Sequence, residues 1–207
     1  MLHSWPDGAS VGGMRIGLFG GSFDPIHHGH LLHAQDALDL AQLDRIAFVP
    51  AAQAPLKSNG APGANAADRL KMIELAIAAQ PAFAVLGDEI ERGGVSYTID
   101  TVRRLKARWP DDQLFWIIGA DQVAQLDQWR DIDELLSLAT FLCLRRPGFN
   151  AEIPASIPTD AIQWISARQL ELSSTEIRER AASGASVDFF LPPAVADYMT
   201  TKQLYCR

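Results

Sequence analysis

MRIGLFGGSFDPIHHGH, residues 14–30, reads as a buried strand, a glycine turn and the first turn of a helix. The apolar run 14–19 has strand length and ends on a turn signal. Gly20 and Gly21 let the backbone bend tightly and approach a ligand, and Ser22 and Phe23 lead into the rigid Asp24-Pro25 step. His27, His28 and His30 then arrive where the helix begins. A helix start carries unpaired N–H groups and partial positive charge, so it is a natural seat for a phosphate. A bare glycine pair or a lone histidine would be explained by packing and solvation alone. Three histidines within four positions behind a Gly-Gly turn are not. Zinc ligation by the histidines fits poorly, since Asp24 is the only carboxylate or cysteine near them. No protein-built metal site is expected.

Working outward, apolar runs at 45–49, 83–86, 114–118, 141–144 and 162–165 read as further buried strands. Helical patterns at 28–41, 66–79, 97–109, 120–125, 132–139, 174–182 and 193–202 fill the gaps. This alternation predicts an α/β fold: a doubly wound, mostly parallel, Rossmann-like sheet with helices on both faces and ligands beyond the carboxyl ends of its strands. Residues 1–13 are turn-rich and aperiodic and are expected to form a flexible tail before one domain, 14–207. The long loop 50–65 after the second strand is expected to face substrate.

Composition narrows the partners. The 207 residues are 48% hydrophobic and 21% charged with a net charge of -7, so no global basic surface would draw the chain to nucleic acid or anionic membrane. Anionic ligands must therefore meet local clusters of donors. Cys143 and Cys206 share no metal or redox spacing, no apolar stretch reaches membrane-spanning length, and the start of the chain lacks a signal-peptide layout. A cytoplasmic setting is expected, with the oligomeric state left open.

Other candidates need company before they mean anything. Residues 173–178, SSTEIR, form a hydroxyl-rich helix start with Arg178 one turn in; taken alone they are an ordinary N-cap. Gly119 and Asp121 close the 114–118 strand, where Asp121 could equally cap a helix or accept ribose hydroxyls. Trp129 sits between Gln128 and Arg130, where a platform for a ring is more natural than a core role. Tyr97 and Thr98 open a helix, and capping competes there with anion binding. Lys57, Arg145 and Arg146 are isolated cations of a kind usually solvated.

GGSFDPIHHGH resembles the GG(S/T)FDPxHxGH signature of the nucleotidyltransferase superfamily. From residue 14 to the end, the chain is similar to the bacterial nicotinate mononucleotide adenylyltransferases, through residues 69–72, 74–76, 96–101 and 117–121, Trp129, and residues 145–148 and 172–178. The resemblance implies transfer of the adenylyl group of ATP to nicotinate mononucleotide, giving deamido-NAD and pyrophosphate. It gives His30 the α-phosphate, His27 a neighbouring oxygen, and Ser174, Thr175 and Arg178 the β and γ phosphates and the departing pyrophosphate. It gives the remaining nucleotide contacts to Gly20, Gly21, Ser22, Phe23, Gly119, Asp121, Arg145 and Arg146. It places the acceptor against Lys57, the helix start at Tyr97 and Thr98, and the face of Trp129. Mg²⁺ is expected to be held mainly by the ATP phosphates.

Residues 50–57 depart from the family's usual PxNxxPPH(K/R): Ala52, Ala54 and Leu56 stand where Asn, Pro and His are typical. Three alternatives therefore accompany the reading. They are a nicotinamide mononucleotide acceptor, a phosphopantetheine acceptor on the same fold, and a regulatory module that binds nucleotide without turnover.

Overall fold

The computed structural model describes residues 13–53, 63–145, 152–168 and 170–206. Lys57, Arg146, Ala54 and Leu56 lie outside them. Six strands form one sheet: β1 (Arg15–Gly21), β2 (Arg45–Pro50), β3 (Phe83–Val85), β4 (Gln113–Gly119), β5 (Thr140–Arg145) and β6 (Ile162–Ser166). Their order is β3-β2-β1-β4-β5-β6, and every pairing is parallel. The expected "mostly parallel" sheet is wholly parallel among the described residues.

Among the described residues eight α-helices accompany the strands, the last two after β6: α1 (His28–Leu40), α2 (Ala66–Ile77), α3 (Asp88–Arg92), α4 (Thr98–Arg108), α5 (Ala120–Val123), α6 (Ile132–Leu138), α7 (Ser174–Ala182) and α8 (Pro193–Thr201). Because successive strand residues point to opposite faces, the sheet feeds two cores. On one face Phe19, Phe48 and Ile117 pack with Ala34 and Ala37 of α1, Met72 of α2, Ile177 of α7 and Val195 of α8. On the other, Leu18, Trp116 and Ile118 pack with Ile99 and Val102 of α4, Val123 of α5 and Leu135 of α6. No helix among the described residues is long and apolar enough to cross a membrane.

Sequence and structure differ in three places that matter for the site. β1 runs on through Gly20 and Gly21, pairing them with Val49 and Pro50, where a tight turn was expected. Clearance explains Gly20: a Cβ there would lie 2.6 Å from the Trp116 ring. α3 was not anticipated. The helix expected at 120–125 stops after Val123 and gives way to a 3-10 turn, Leu126–Gln128, that delivers Trp129.

Strand order reverses between β1 and β4, and crevices open at the carboxyl ends of strands at such a point. The loops after β1 and β4 therefore face one another.

Candidate active site

An open cleft of about 1580 Å³ occupies this end of the sheet. That exceeds the roughly 300–1,000 Å³ of a site for one small molecule, so two nucleotides can lie in it together. It is lined by the first loop, the start of α7, the β4 end and the start of α4. The structure thus brings Gly20, Gly21, Ser22, Phe23, His27, His30, Tyr97, Thr98, Gly119, Asp121, Trp129, Arg145, Ser174, Thr175 and Arg178 to one cavity.

At the end formed by the first loop and the start of α7, where a phosphate was expected, His27 precedes α1 in an extended conformation and His30 follows one turn later. Their rings stack at 3.7 Å between centroids, and the His27 backbone N–H donates to His30 Nδ1 at 3.3 Å. With Nδ1 accepting, a neutral His30 ring carries its proton on Nε2. Phe19 and Phe23 fix the ring's orientation edge-on, at 6.1 and 5.0 Å. His27 is more enclosed than a solvated phosphate ligand would be, at 5% exposure. Burial, and then the nearby His33 and His28, push it down to about 4, so it is neutral near pH 7. Gly29 makes the stack possible: a Cβ there would sit 3.0 Å from the His27 ring.

Phe23 turns its side chain into the core, 2% exposed and edge-on to Phe19 and Phe48, so only its backbone is available to a ligand. Its φ of 47° lies in the left-handed region. Asp24 is the surprise of the loop. Its carboxylate accepts from the N–H of Gly63 at 2.7 Å, the N–H of Ala64 at 3.0 Å and the Tyr205 hydroxyl at 2.6 Å.

Residues 173–178 cap a helix, as their pattern suggested, and also tie it to the first loop. Ser173 caps α7, accepting from Glu176 N–H at 3.1 Å. Ser174 Oγ donates to Pro25 O at 2.9 Å, and Arg178 Nη1 donates to Asp24 O at 2.8 Å while Nη2 donates to Thr175 Oγ1 at 3.2 Å. The start of α7 is therefore bound to the first loop, and two helix N-termini border the same space. Arg69, 1% exposed, donates to Ser22 O at 2.7 Å from behind the loop.

The other end, where the acceptor was expected, is built differently. Tyr97 occupies the N-cap position of α4, its carbonyl accepting from Asp100 N–H at 3.1 Å and its side chain making no capping bond. The Arg130 guanidinium lies over the Tyr97 ring at 4.8 Å. Trp129 lines the cleft but also packs against the core, with the Phe141 ring 5.7 Å away edge-on. A core contribution, disfavoured by its polar neighbours, is thus real. Asp121 lies in the first turn of α5, whose N-cap is Gly119. Arg145 ends β5 with its guanidinium 5.1 Å from the Trp164 ring.

Sequence reasoning missed Glu89 of α3, which is 4% exposed, lines the acceptor end and accepts from Thr101 Oγ1 at 2.5 Å. Burial raises its pKa. It also missed the structural part played by Asp24 and Tyr205. A carboxylate in a loop expected to seat a phosphate, where anions should be unwelcome, was the available signal.

A parallel sheet reversing at β1 and β4, with two helix N-termini facing one cleft, defines a Rossmann-like nucleotidyltransferase. A cytidylyltransferase-like family model matches residues 18–180. Nicotinate-nucleotide adenylyltransferase of Bacillus subtilis is 44% identical over 92% of this chain and 98% of its own length. A chain of Opitutus terrae named probable nicotinate-nucleotide adenylyltransferase is 45% identical over 93% and 98%. Among solved structures, Plasmodium falciparum nicotinic acid mononucleotide adenylyltransferase complexed with NaAD superposes with a TM-score of 0.72 at 19% identity, covering 93% of this chain and 97% of that one; that likeness speaks to the fold. The chain belongs to the cytidylyltransferase-like family and, within it, to the nicotinate-nucleotide adenylyltransferases.

Proposed function

We propose that this enzyme joins the AMP moiety of ATP to nicotinate mononucleotide, releasing pyrophosphate and forming deamido-NAD. The observation that carries the reading is the facing pair of helix starts, His27–His30 on one side and Ser174–Arg178 on the other, on a cleft that continues to Trp129 and Tyr97. The acceptor's phosphate monoester, with a second pKa near 6, is largely dianionic at pH 7 and attacks the α-phosphorus without a general base. The remaining task is positioning and charge. His30 Nε2–H donates to the α-phosphate as charge shifts there, and neutral His27 orders its neighbour through the stack. Arg178 and the α7 N-terminus hold the β and γ phosphates and stabilise the leaving pyrophosphate.

The donor set suits Mg²⁺ bound through phosphate oxygens. Asp24, the carboxylate closest to the loop in sequence, is occupied by three donors, and no group of three or more His, Cys, Asp or Glu that could hold a metal occurs among the described residues. When bound, the ion neutralises triphosphate charge. The backbone N–H groups of Tyr97 and Thr98 receive the nicotinate carboxylate, Trp129 stacks on the pyridine ring, and Gly119 and Asp121 meet the adenosine. Lys57, Arg145 and Arg146 supply further positive charge. We take residues 14–207 as one catalytic domain working in the cytoplasm, where the free thiols of Cys143 and Cys206 are at home.

Pyrophosphate release is the test, measured with ATP and, in turn, nicotinate mononucleotide, nicotinamide mononucleotide and phosphopantetheine. Release is expected to be fastest with the first. Preference for another acceptor would reassign the acceptor end alone, and no release with any of them would leave only a nucleotide-binding module.

A further inference from the structure

Tyr205 lies far along the chain from the first loop, yet its hydroxyl reaches Asp24 Oδ1 at 2.6 Å. We infer that Tyr205 is a positioning residue for the pyrophosphate end of the cleft, acting by keeping Asp24 from capturing Arg178.

The geometry poses a competition. Asp24 Oδ1 accepts from Ala64 N–H and the Tyr205 hydroxyl; Oδ2 accepts from Gly63 N–H and stands 4.0 Å from Arg178 Nη1, beyond hydrogen-bond reach. Arg178 instead donates to the backbone oxygen of Asp24 and to Thr175 Oγ1, which leaves it at the cleft, about one-third exposed. Charge-assisted bonds to a carboxylate are stronger than neutral ones. A carboxylate 5% exposed and short of one donor would draw in the nearest mobile cation. Arg178 is that cation, because its guanidinium already stands 4.0 Å from Oδ2 and is one-third exposed, whereas Arg69 is 1% exposed and bonded to Ser22 O.

The phenol is suited to this duty. Burial first, and then its bond to Asp24, raise its pKa far above the ordinary range, so it stays a donor at any working pH. Its ring also packs beside Gly63, where a Cβ would come within 3.2 Å of Tyr205 Cε1 and 3.5 Å of Arg178 Cδ. One buried carboxylate stands against two guanidiniums here, so positive charge is in excess, and Arg178 presents its share to the cleft so long as it is not drawn onto Asp24.

Tyr205→Phe keeps the ring and deletes the donor. It rests on the activity proposed above, so wild type is assayed beside it. The expected result is a rise of about tenfold in KM for ATP, from loss of one charge-assisted bond, and weaker product inhibition by pyrophosphate. KM for nicotinate mononucleotide should hold, and the melting temperature should fall by no more than roughly a few degrees, since Arg178 takes the donor's place. In an Arg178→Ala background the same substitution should have almost no effect on KM for ATP, because the residue it misplaces is gone. An equal rise in both KM values, an undiminished effect in that background, or unchanged KM for ATP would each overturn the role of Tyr205. A melting temperature lowered enough to explain the loss would assign Tyr205 to stability alone. Absence of turnover in wild type would instead refute the activity.

Discussion

The side chains proposed to meet ligand at the two ends of the cleft are held by different physics. At the phosphate end, Asp24, Arg69, Ser174, Arg178 and Tyr205 are interlocked by hydrogen bonds of 2.6 to 3.0 Å among the first loop, α2, α7 and the segment after α8. At the acceptor end, the ring of Tyr97 lies under Arg130, Trp129 leans on Phe141, and Arg130 reaches Asp100 and Asp131 only at 3.8 and 4.0 Å. Directional bonds tolerate little change, whereas ring faces and loose ion pairs accept many sequences. On the proposed reading, transfer chemistry belongs to the first end and acceptor choice to the second.

The sharpest way to break that contrast is at His30. His30→Ala should lower kcat by about 10²–10³, as expected for one donor to a charge-shifting oxygen, with the melting temperature little changed; a near-normal rate would remove the centre of the mechanism. The next largest effect concerns His27 and is one of stability. Its folded pKa of about 4 lies below the ordinary 6.5, so the unfolded chain takes up the proton first as pH falls. The stabilisation is complete above pH 6.5 and is lost between there and pH 4, on the order of 2–3 kcal/mol. Denaturant melts of wild type and His27→Gln across that window should show a steeper loss in wild type, and parallel curves would contradict it.

Smaller effects should separate the acceptor end. Trp129→Ala should raise KM for nicotinate mononucleotide about tenfold through lost stacking and area while leaving KM for ATP in place. Arg130→Gln, which removes the cation from the Tyr97 ring, should cost about 0.5–1 kcal/mol in acceptor binding, readable as a several-fold change in the same KM. If either moved the ATP constant as much as the acceptor constant, the division into two ends would fail.

What could be read from the residues alone follows the same division. β1 and the histidines at the start of α1 were legible because their logic is local, completed within residues 14–30, although the turn expected at Gly20 and Gly21 is the end of the strand. The alternating fold was legible because buried parallel strands are near-continuous apolar runs. Asp24's partners were not, since Gly63, Ala64 and Tyr205 stand 39, 40 and 181 positions away and no periodicity reports such a meeting. α3 was missed because DEIER is five residues long with one apolar side chain, too short for a helical pattern. Trp129 looked solvent-facing because its neighbours are polar, although the 3-10 turn before it rotates the indole towards Phe141.

The bond from the His27 backbone to His30 Nδ1 has a kinetic meaning. With that nitrogen engaged and the attacking phosphate already deprotonated, His30 has no second site ready to collect a proton, and none needs to be in flight as the new anhydride forms. Replacing water by D₂O should then leave the chemical step almost unslowed, which sets this loop apart from histidines that work as shuttles: it holds charge still while phosphorus changes partners.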